Sequence, residues 1–419
     1  MSVAAMSPMS AAAPLEVDVA IVGGGLVGAS LAAALAGSPV RLLLVESVPL
    51  GARHQPSFDE RTTALGNASR RIFEGLGVWH AIAPEAAAIR AIHVSDAGRF
   101  GFARLTAAEQ GIEAFGYVAA NRRIGAALWE RLRAAPNLAL RVPGRVHNVA
   151  IGPDAVRFET VTEGAAPEPV VARLVVAADG AHSQIRAAAG IEAQVEDYDQ
   201  VAIVANVATD APHEGVAYER FTATGPLALL PLHDGNRAVI WACRPAHAAQ
   251  LLALDEAAFL AQLQGRFGWR AGRFVRAARR QSYPLKLTRA TAPVAARTVL
   301  VGNAAQALHP VAGQGFNLGL RDAAMLAEVI VNAAGDPGSP QLLERFTAWR
   351  ARDRRGVVRF TDNLVRLFAD GRFGVAALRD LGLLLFDLAP PAKGALARVS
   401  AGFGGPAPRL ARGLPVRHA

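Results

Sequence analysis

The stretch DVAIVGGGLVGASLAAALAGSPVRLLLVE, residues 18–46, decides the fold. Asp18 to Gly23, with the β-branched-rich Val19-Ala20-Ile21-Val22, reads as a buried strand. Leu26 to Leu35, rich in Ala and Leu, reads as a helix, and Val40 to Glu46 returns to strand. Strand, helix and strand within about 30 residues make the βαβ unit of a nucleotide-binding fold. Gly23, Gly25 and Gly28 stand between the first strand and the helix. The first permits a tight turn, the second lets a diphosphate approach the backbone, and the third allows close helix–strand packing. The helix start adds unpaired N–H groups and partial positive charge. Glu46 ends the second strand, where it can accept hydrogen bonds from an adenosine ribose. These features specify a dinucleotide and leave both FAD and NAD open.

The same region carries no charge from Val19 to Val40, 22 residues, which on length alone could span a bilayer. Its five glycines and strand-like start argue against a spanning helix. Outside it, 419 residues at 52% hydrophobic suffice for a large core and for two to three domains. The single cysteine, Cys243, excludes intrachain disulfides and a cysteine-built zinc site. It ends the apolar run Ala238 to Cys243 and reads as a buried strand residue. Met1 to Pro14 contains no basic residue, so it lacks the n-region of a secretory signal and reads as a flexible leader.

The net charge of +9 is localised: residues 345–419 hold 14 Lys and Arg against 5 Asp and Glu, and the rest carries 30 of each sign. Such a segment suits anionic lipid, an acidic partner or simply a solvated helical face. No aromatic-interleaved groove accompanies it, so nucleic acid is not an expected partner.

Asn121 to Ala134 has Ile124, Leu128 and Leu132 on one helical face, and Val170 to Ala177 reads as a strand covered on both sides. Between Val201 and Cys243 the texture changes to short strands, at Val201–Val207, Val216–Thr222, Leu227–Leu232 and Ala238–Cys243. That spacing predicts an antiparallel sheet inserted into an α/β body. From Thr298 the chain returns to strand, glycine-rich turn and helix, the last over Asn317–Val329, and then to helices as far as Ser400. The expected fold is therefore α/β. It has a Rossmann-like FAD-binding domain (14–80, 105–192 and 283–345), an inserted, mostly antiparallel substrate domain (81–104 and 193–282) and C-terminal helices (346–403), with 1–13 and 404–419 flexible.

Two further motifs select between the cofactors. Asp179-Gly180-x-x-Ser183-x-x-Arg186 follows the strand ending at Ala177, with Ser183 read as a helix N-cap. Gly302-Asn303-Ala304-Ala305-Gln306 runs through His309-Pro310-Val311-Ala312-Gly313-Gln314-Gly315 to Asn317. A glycine-rich turn opening a helix there puts several N–H donors where a reduced flavin accumulates negative charge. An NAD dehydrogenase has no need of this second helix start.

In order and spacing these three motifs resemble those of the class A flavoprotein aromatic hydroxylases, and the resemblance runs from Val17 to Phe403. Asp59-Glu60-Arg61-Thr62-Thr63-Ala64-Leu65, Gly116-Tyr117-Val118, Glu219-Arg220-Phe221-Thr222 and Gly225 to Pro231 look like the ubiquinone-biosynthesis branch. Asn303 stands where the wider family has an acid, and with the His309–Gly315 run it is most similar to the 2-polyprenyl-6-methoxyphenol hydroxylases. The signature of a flavin halogenase is absent.

The resemblance implies FAD as cofactor, NAD(P)H as a transient electron donor and molecular oxygen as co-substrate. Oxygen would then reach the phenol ring through a flavin C4a-hydroperoxide. It places Arg61, Asn121, Val146, Asp179, Asn303, Gly313, Gln314, Gly315 and Asn317 with Gly23, Gly25, Gly28 and Glu46 at the cofactor. For Arg61 and Asn121 a surface charge and a plain N-cap are the competing readings. Substrate is expected between the Gly225–Pro231 strand and the His309–Gly315 loop, with Arg220, Phe221 and Leu230 as contacts. Pro310 would present its carbonyl over the flavin; His309 is either the base for the phenol or a loop-fixing hydrogen-bond partner. The expected location is cytoplasmic, with peripheral contact to the inner membrane or a biosynthetic complex through the basic C-terminal segment. A polyprenyl tail would need a long apolar channel, which the apolar strands and Leu381 to Leu388 could line. Leu383 to Phe386 is too short to cross a membrane and reads as a stretch that dips into one or covers another subunit, or as ordinary helix packing. A small soluble aromatic substrate, and a catalytically silent FAD-binding subunit, are the rival readings.

Overall fold

The computed structural model describes residues 13–49, 61–222, 224–308, 313–333, 335–351, 354, 356, 387, 389, 391, 393–394, 397–398, 401–403 and 405–417. His309, Pro310, the Leu381–Leu388 stretch apart from Asp387, the leader to residue 12 and most of the expected C-terminal helices lie outside them.

Leu15–Val22 runs parallel to Glu168–Ala177 on one side and to Leu42–Val45 on the other. Leu138–Arg141 and Thr298–Leu300 extend the parallel order at the two ends. The free edge of Glu168–Ala177 is divided. Its first half pairs antiparallel with Val156–Val161, itself paired with Arg145–Ile151, and its second half takes Thr298–Leu300. Burial on both faces explains why Val19–Val22, Leu42–Val45 and Leu174–Ala177 read as unbroken apolar runs. Val19, Ile21, Leu44 and Val176 face one core, with the helices Leu26–Leu35, Asn121–Arg133 and Gln314–Val331. Ala20, Val22, Leu43 and Val175 face the other, with Val156, Phe158 and Ile185. Both faces are sealed.

The second sheet holds nine strands among the described residues. Its path runs Gln306–Ala307, Gln281–Ala290, Ala193–Thr209, Arg237–Cys243, Gly225–Pro231, Val216–Thr222, Ala91–Asp96 and Phe102–Thr106. All pairings are antiparallel except Val216–Thr222 with Ala91–Asp96. Ala193–Thr209 is longer than the alternation predicted because Gln281–Ala290 pairs with its first part and Arg237–Cys243 with its second. Two helices not anticipated from the sequence, Pro245–Ala253 and Glu256–Phe267, cover one face of this sheet. Phe259, Leu263 and Phe267 pack there on Ile203, Leu227, Leu229, Val239 and Trp241. Cys243 is fully buried in the same cluster, and burial pushes its thiol up to about 11, which makes it inert. A small sheet of Thr62–Gly66, Gly116–Ala120 and Ala87–Ile89 completes the three, its strands interleaved in sequence with those of the large sheets.

A polar network crosses the interior beneath the third motif. Arg350, 1% exposed, donates from Nε to Oδ1 of Asp322, 0% exposed, at 2.5 Å. Asp322 Oδ2 accepts from Gln306 Nε2 at 2.9 Å, and Gln306 Oε1 accepts from Arg354 Nε at 2.8 Å.

Candidate functional site

The fingerprint glycines are there because no side chain fits. A Cβ on Gly28 would lie 1.9 Å from the Gly23 carbonyl oxygen, and one on Gly23 2.4 Å from that of Ala178. Gly23 also has φ +104°, a conformation that L side chains avoid. Gly25 caps the Leu26–Leu35 helix without a side-chain hydrogen bond, so the helix start stays open to an anion. Glu46 closes the far side of this crevice. Its Oε2 accepts from the Gly24 N–H at 2.7 Å and its Oε1 from the Val48 N–H at 2.8 Å. Trp129 presses on the same turn, with Cζ2 2.7 Å from where a Gly24 Cβ would sit. Its indole N–H is buried with no partner among the described residues, a donor beside the acid end of the crevice that the motif reading missed.

Asp179 adjoins the first turn, its own N–H only 2.7 Å from a Cβ built on Gly23. One carboxylate oxygen accepts from the Ile185 N–H at 3.3 Å, while Oδ1 is buried without a partner. Burial raises its pKa, against the lowering effect of Ser183 and nearby backbone N–H groups. Ser183 is the N-cap of Gln184–Ala188, accepting from the Arg186 N–H at 2.9 Å.

The third motif wraps the same helix. Gly302, at φ +57°, lies against Val27, and a Cβ on Gly319 would meet the Gly302 Cα at 2.9 Å. Asn303 is exposed in this turn. Gly313, left-handed at φ +59°, opens the Gln314–Val331 helix without a side-chain cap. Gln314 is buried and Gly315 half-buried behind it.

Several expected contacts take a different form. Asn317 is 3% exposed and its side chain is used up by protein. Oδ1 accepts from the Gly66 N–H (2.9 Å) and Ser69 Oγ (2.6 Å), while Nδ2 donates to the carbonyls of Ala64 (2.8 Å) and Gly313 (2.7 Å). Only its main chain is left for a cofactor. Replacing Asn317 with leucine should strand these four partners and cost about 3 kcal/mol, measurable as a lowered denaturation midpoint. A midpoint unchanged from wild type would contradict the clamp. Val146 is a core side chain packed near Val156 and Phe158, so it too offers only main chain. The Arg61 guanidinium lies 4.5 Å over the Tyr283 ring. Asn121 is not an N-cap; that position is Ala120, and Asn121 Oδ1 instead accepts from Thr63 Oγ1 at 2.6 Å.

The phase of the second sheet sorts the substrate candidates. Residues directly opposite in a ladder share a face. Tyr218 pairs with Leu229 and Arg220 with Leu227, both leucines packed under the two helices. Arg220 therefore points to the helix-covered side, where its Nη1 donates to Ser95 Oγ at 3.4 Å. His93 on that side accepts from Arg270 Nη1 at 3.0 Å; burial and that guanidinium hold it down at about 4, so it is neutral. The expectation for Arg220 is corrected: it does not share a face with Phe221 and Leu230. Glu219, one residue earlier, does. Its partners are Ala228 and Val94, and the row continues through Ile240 and Val204. Leu230 and Ile240 pack in one cluster with Ala64, and the Ala64 Cβ is 3.3 Å from where a Gly313 Cβ would sit. The apolar sheet face and the second helix start thus share a wall. The strict alternation of the strand could have shown that Glu219, and not Arg220, is in phase.

Among the described residues no cluster suits a metal ion, and no helix is long and apolar enough to cross a membrane. An open helix start, a terminal acid, an orphaned carboxylate oxygen and a second open helix start fit FAD. A family profile described as FAD binding domain matches residues 16–361, and the chain belongs to that family. It is an FAD-dependent aromatic monooxygenase.

Within the family it is 38% identical over 419 residues to the ubiquinone hydroxylase UbiL of Rhodospirillum rubrum, covering 98% of this chain and 96% of that protein. It is 33% identical over 380 residues to the 3-demethoxyubiquinol 3-hydroxylase of Escherichia coli, covering 89% and 95%. In fold it is similar to p-nitrophenol 4-monooxygenase PnpA of Pseudomonas putida, with TM-score 0.77, 20% identity and coverage of 93% and 99%.

Proposed function

We propose that this protein hydroxylates the aromatic ring of a polyprenylated phenol in ubiquinone biosynthesis. The observation that carries the reading is the shared wall between the Gly313 helix start and the apolar face of Leu230 and Ile240. Bound FAD, reduced by NAD(P)H, supplies the activation of molecular oxygen. The chain's own residues bind, orient and keep out water. The Leu26–Leu35 helix start would hold the diphosphate, Glu46 and the Trp129 N–H the adenosine side, and Asp179 Oδ1 a hydroxyl of the ribityl chain. The main-chain N–H groups from Gly313 to Asn317 would face the flavin edge. In this reading residues 81–104 and 193–282 form the substrate domain, and the named activities of the relatives supply the substrate class. The basic segment from residue 345 would bring the enzyme to anionic lipid or to an acidic partner in a biosynthetic complex.

The test is NAD(P)H oxidation by the FAD-loaded protein with and without a prenylated phenol, with products identified by mass spectrometry. Stimulated oxidation and a product heavier by one oxygen atom are expected. FAD-loaded protein that gives neither would be a silent binding subunit, and the reading would fall.

A further inference from the structure

We infer that Glu219 receives the phenolic hydroxyl of the substrate and accepts its proton as the ring takes up oxygen. The inference rests on the hydroxylase reading above and names a residue within its site. Glu219 lies mid-strand in Val216–Thr222, on the face opposite the covering helices. Its lateral neighbours, Val94, Ala228, Ile240 and Val204, can offer it no hydrogen bond from their side chains. Most charged groups of the adjoining strands are directed elsewhere; on this face the Arg61 guanidinium is stacked over Tyr283, the partner of Ala202. Arg220 and His93 are on the helix side, as is Arg237, the partner of Val207 in the covered cluster. Asp96, on the same face beside Phe221, is bridged to Arg99 at 3.7 Å in its own hairpin.

Glu219 is half-buried, and loss of water around its carboxyl pushes it up to about 7. An unpaired carboxylate on an apolar face is costly, and such groups concentrate where chemistry needs them. A phenol supplies what the row lacks: a flat apolar body for Ala228 and Ile240, and one O–H donor for the carboxylate. In the step proposed, a Glu219 oxygen takes the hydroxyl proton and the O–H electron pair stays on the phenolic oxygen. That raises electron density at the ring carbon, which forms the new C–O bond as the O–O bond breaks and leaves the second oxygen atom behind. The proton on that carbon then moves to the phenolic oxygen as aromaticity returns. The proton held by Glu219 leaves in the water formed from the second oxygen atom, with NAD(P)H as the reductant.

The linkage has a definite sign. The folded carboxyl titrates above the ordinary glutamate value of 4.5, so the charged form is disfavoured by folding. Stability is therefore lost as pH rises from 4.5 through about 7, and the loss is complete above it. Glu219→Gln should melt higher than wild type at pH ~8 and show no such advantage below pH ~4. The experiment uses FAD-loaded wild type, Glu219→Gln and Glu219→Asp. Product formation by wild type should rise with pH through about 7 and level off. Glu219→Gln should bind FAD normally, be reduced by NAD(P)H normally, and lose that limb with product formation down about 100-fold. Glu219→Asp should keep part of it. Glu219→Gln with wild-type product formation and an unchanged limb would overturn the proposal. Binding separates the proposal from the reading it rests on. A prenylated phenol should raise the melting temperature of wild type more than that of Glu219→Gln, and its methyl ether should act on both alike. Equal shifts from the phenol overturn the role of Glu219; absence of hydroxylated product from wild type instead overturns the hydroxylase.

Discussion

Gly28→Ala is expected to purify without its flavin. One added carbon would lie 1.9 Å from the Gly23 carbonyl oxygen, with the Ala178 Cβ at 3.1 Å on another side. Neither the turn nor the helix can yield without the other, because Gly23 is itself pressed on the Ala178 carbonyl. Overpacking of this kind costs on the order of 3 kcal/mol, and each 1.4 kcal/mol is a factor of ten in affinity. FAD should bind about 100-fold more weakly, read as flavin absorbance per protein and by titration of the apoprotein. Gly265→Ala is the matched control. It lies in the Glu256–Phe267 helix with nothing within 4 Å of its new carbon, so it should keep FAD and gain about 0.5–1 kcal/mol of stability. A flavin-replete Gly28→Ala would show that the crevice does not seat the diphosphate.

The contrast between these two glycines shows what a sequence can carry. Gly28 is legible because the atom nearest to an added carbon there, the Gly23 carbonyl oxygen, is a neighbour in the chain. The parallel sheet is legible for a related reason: strands buried on both faces leave unbroken apolar runs at Val19–Val22 and Leu174–Ala177. Contacts between distant segments leave no such mark. Asn317 reads as part of a flavin motif, yet its four hydrogen bonds fasten Ala64, Gly66, Ser69 and Gly313. Val146 looks available until Val156 and Phe158 close over it. Two signals were in the sequence and went unread. Pro245 at a first helical position and Asp255, whose carboxylate accepts from the Ala258 N–H at 2.7 Å, mark the starts of the covering helices. The two-residue period of Val216–Thr222 separates Glu219 from Arg220 and puts the guanidinium on the helix-covered face.

The buried pair of Arg350 and Asp322 should prove the most sensitive point for stability, although it lies in none of the motifs. Both side chains are 1% exposed, so water cannot replace a lost partner. Arg350→Ala removes the guanidinium from the Asp322 carboxylate, whose other oxygen accepts from Gln306 Nε2, and should cost about 3–5 kcal/mol in denaturant unfolding. The loss should reach the cofactor as well. Gln306 follows the Gly302 turn in sequence, and Asp322 sits in the helix that Gly313 opens. Loosening their link frees the second helix start from the first, so FAD affinity should fall together with stability. Arg350→Met with Asp322→Leu should recover part of the stability, because an apolar pair of similar size removes the stranded charge. If Arg350→Ala unfolds within about 1 kcal/mol of wild type, the pair is no stronger than an exposed surface bridge. If the double variant is instead worse than the sum of its parts, the ions are stabilising beyond their cost of burial, and the interior under the flavin motif depends on charge more than on packing.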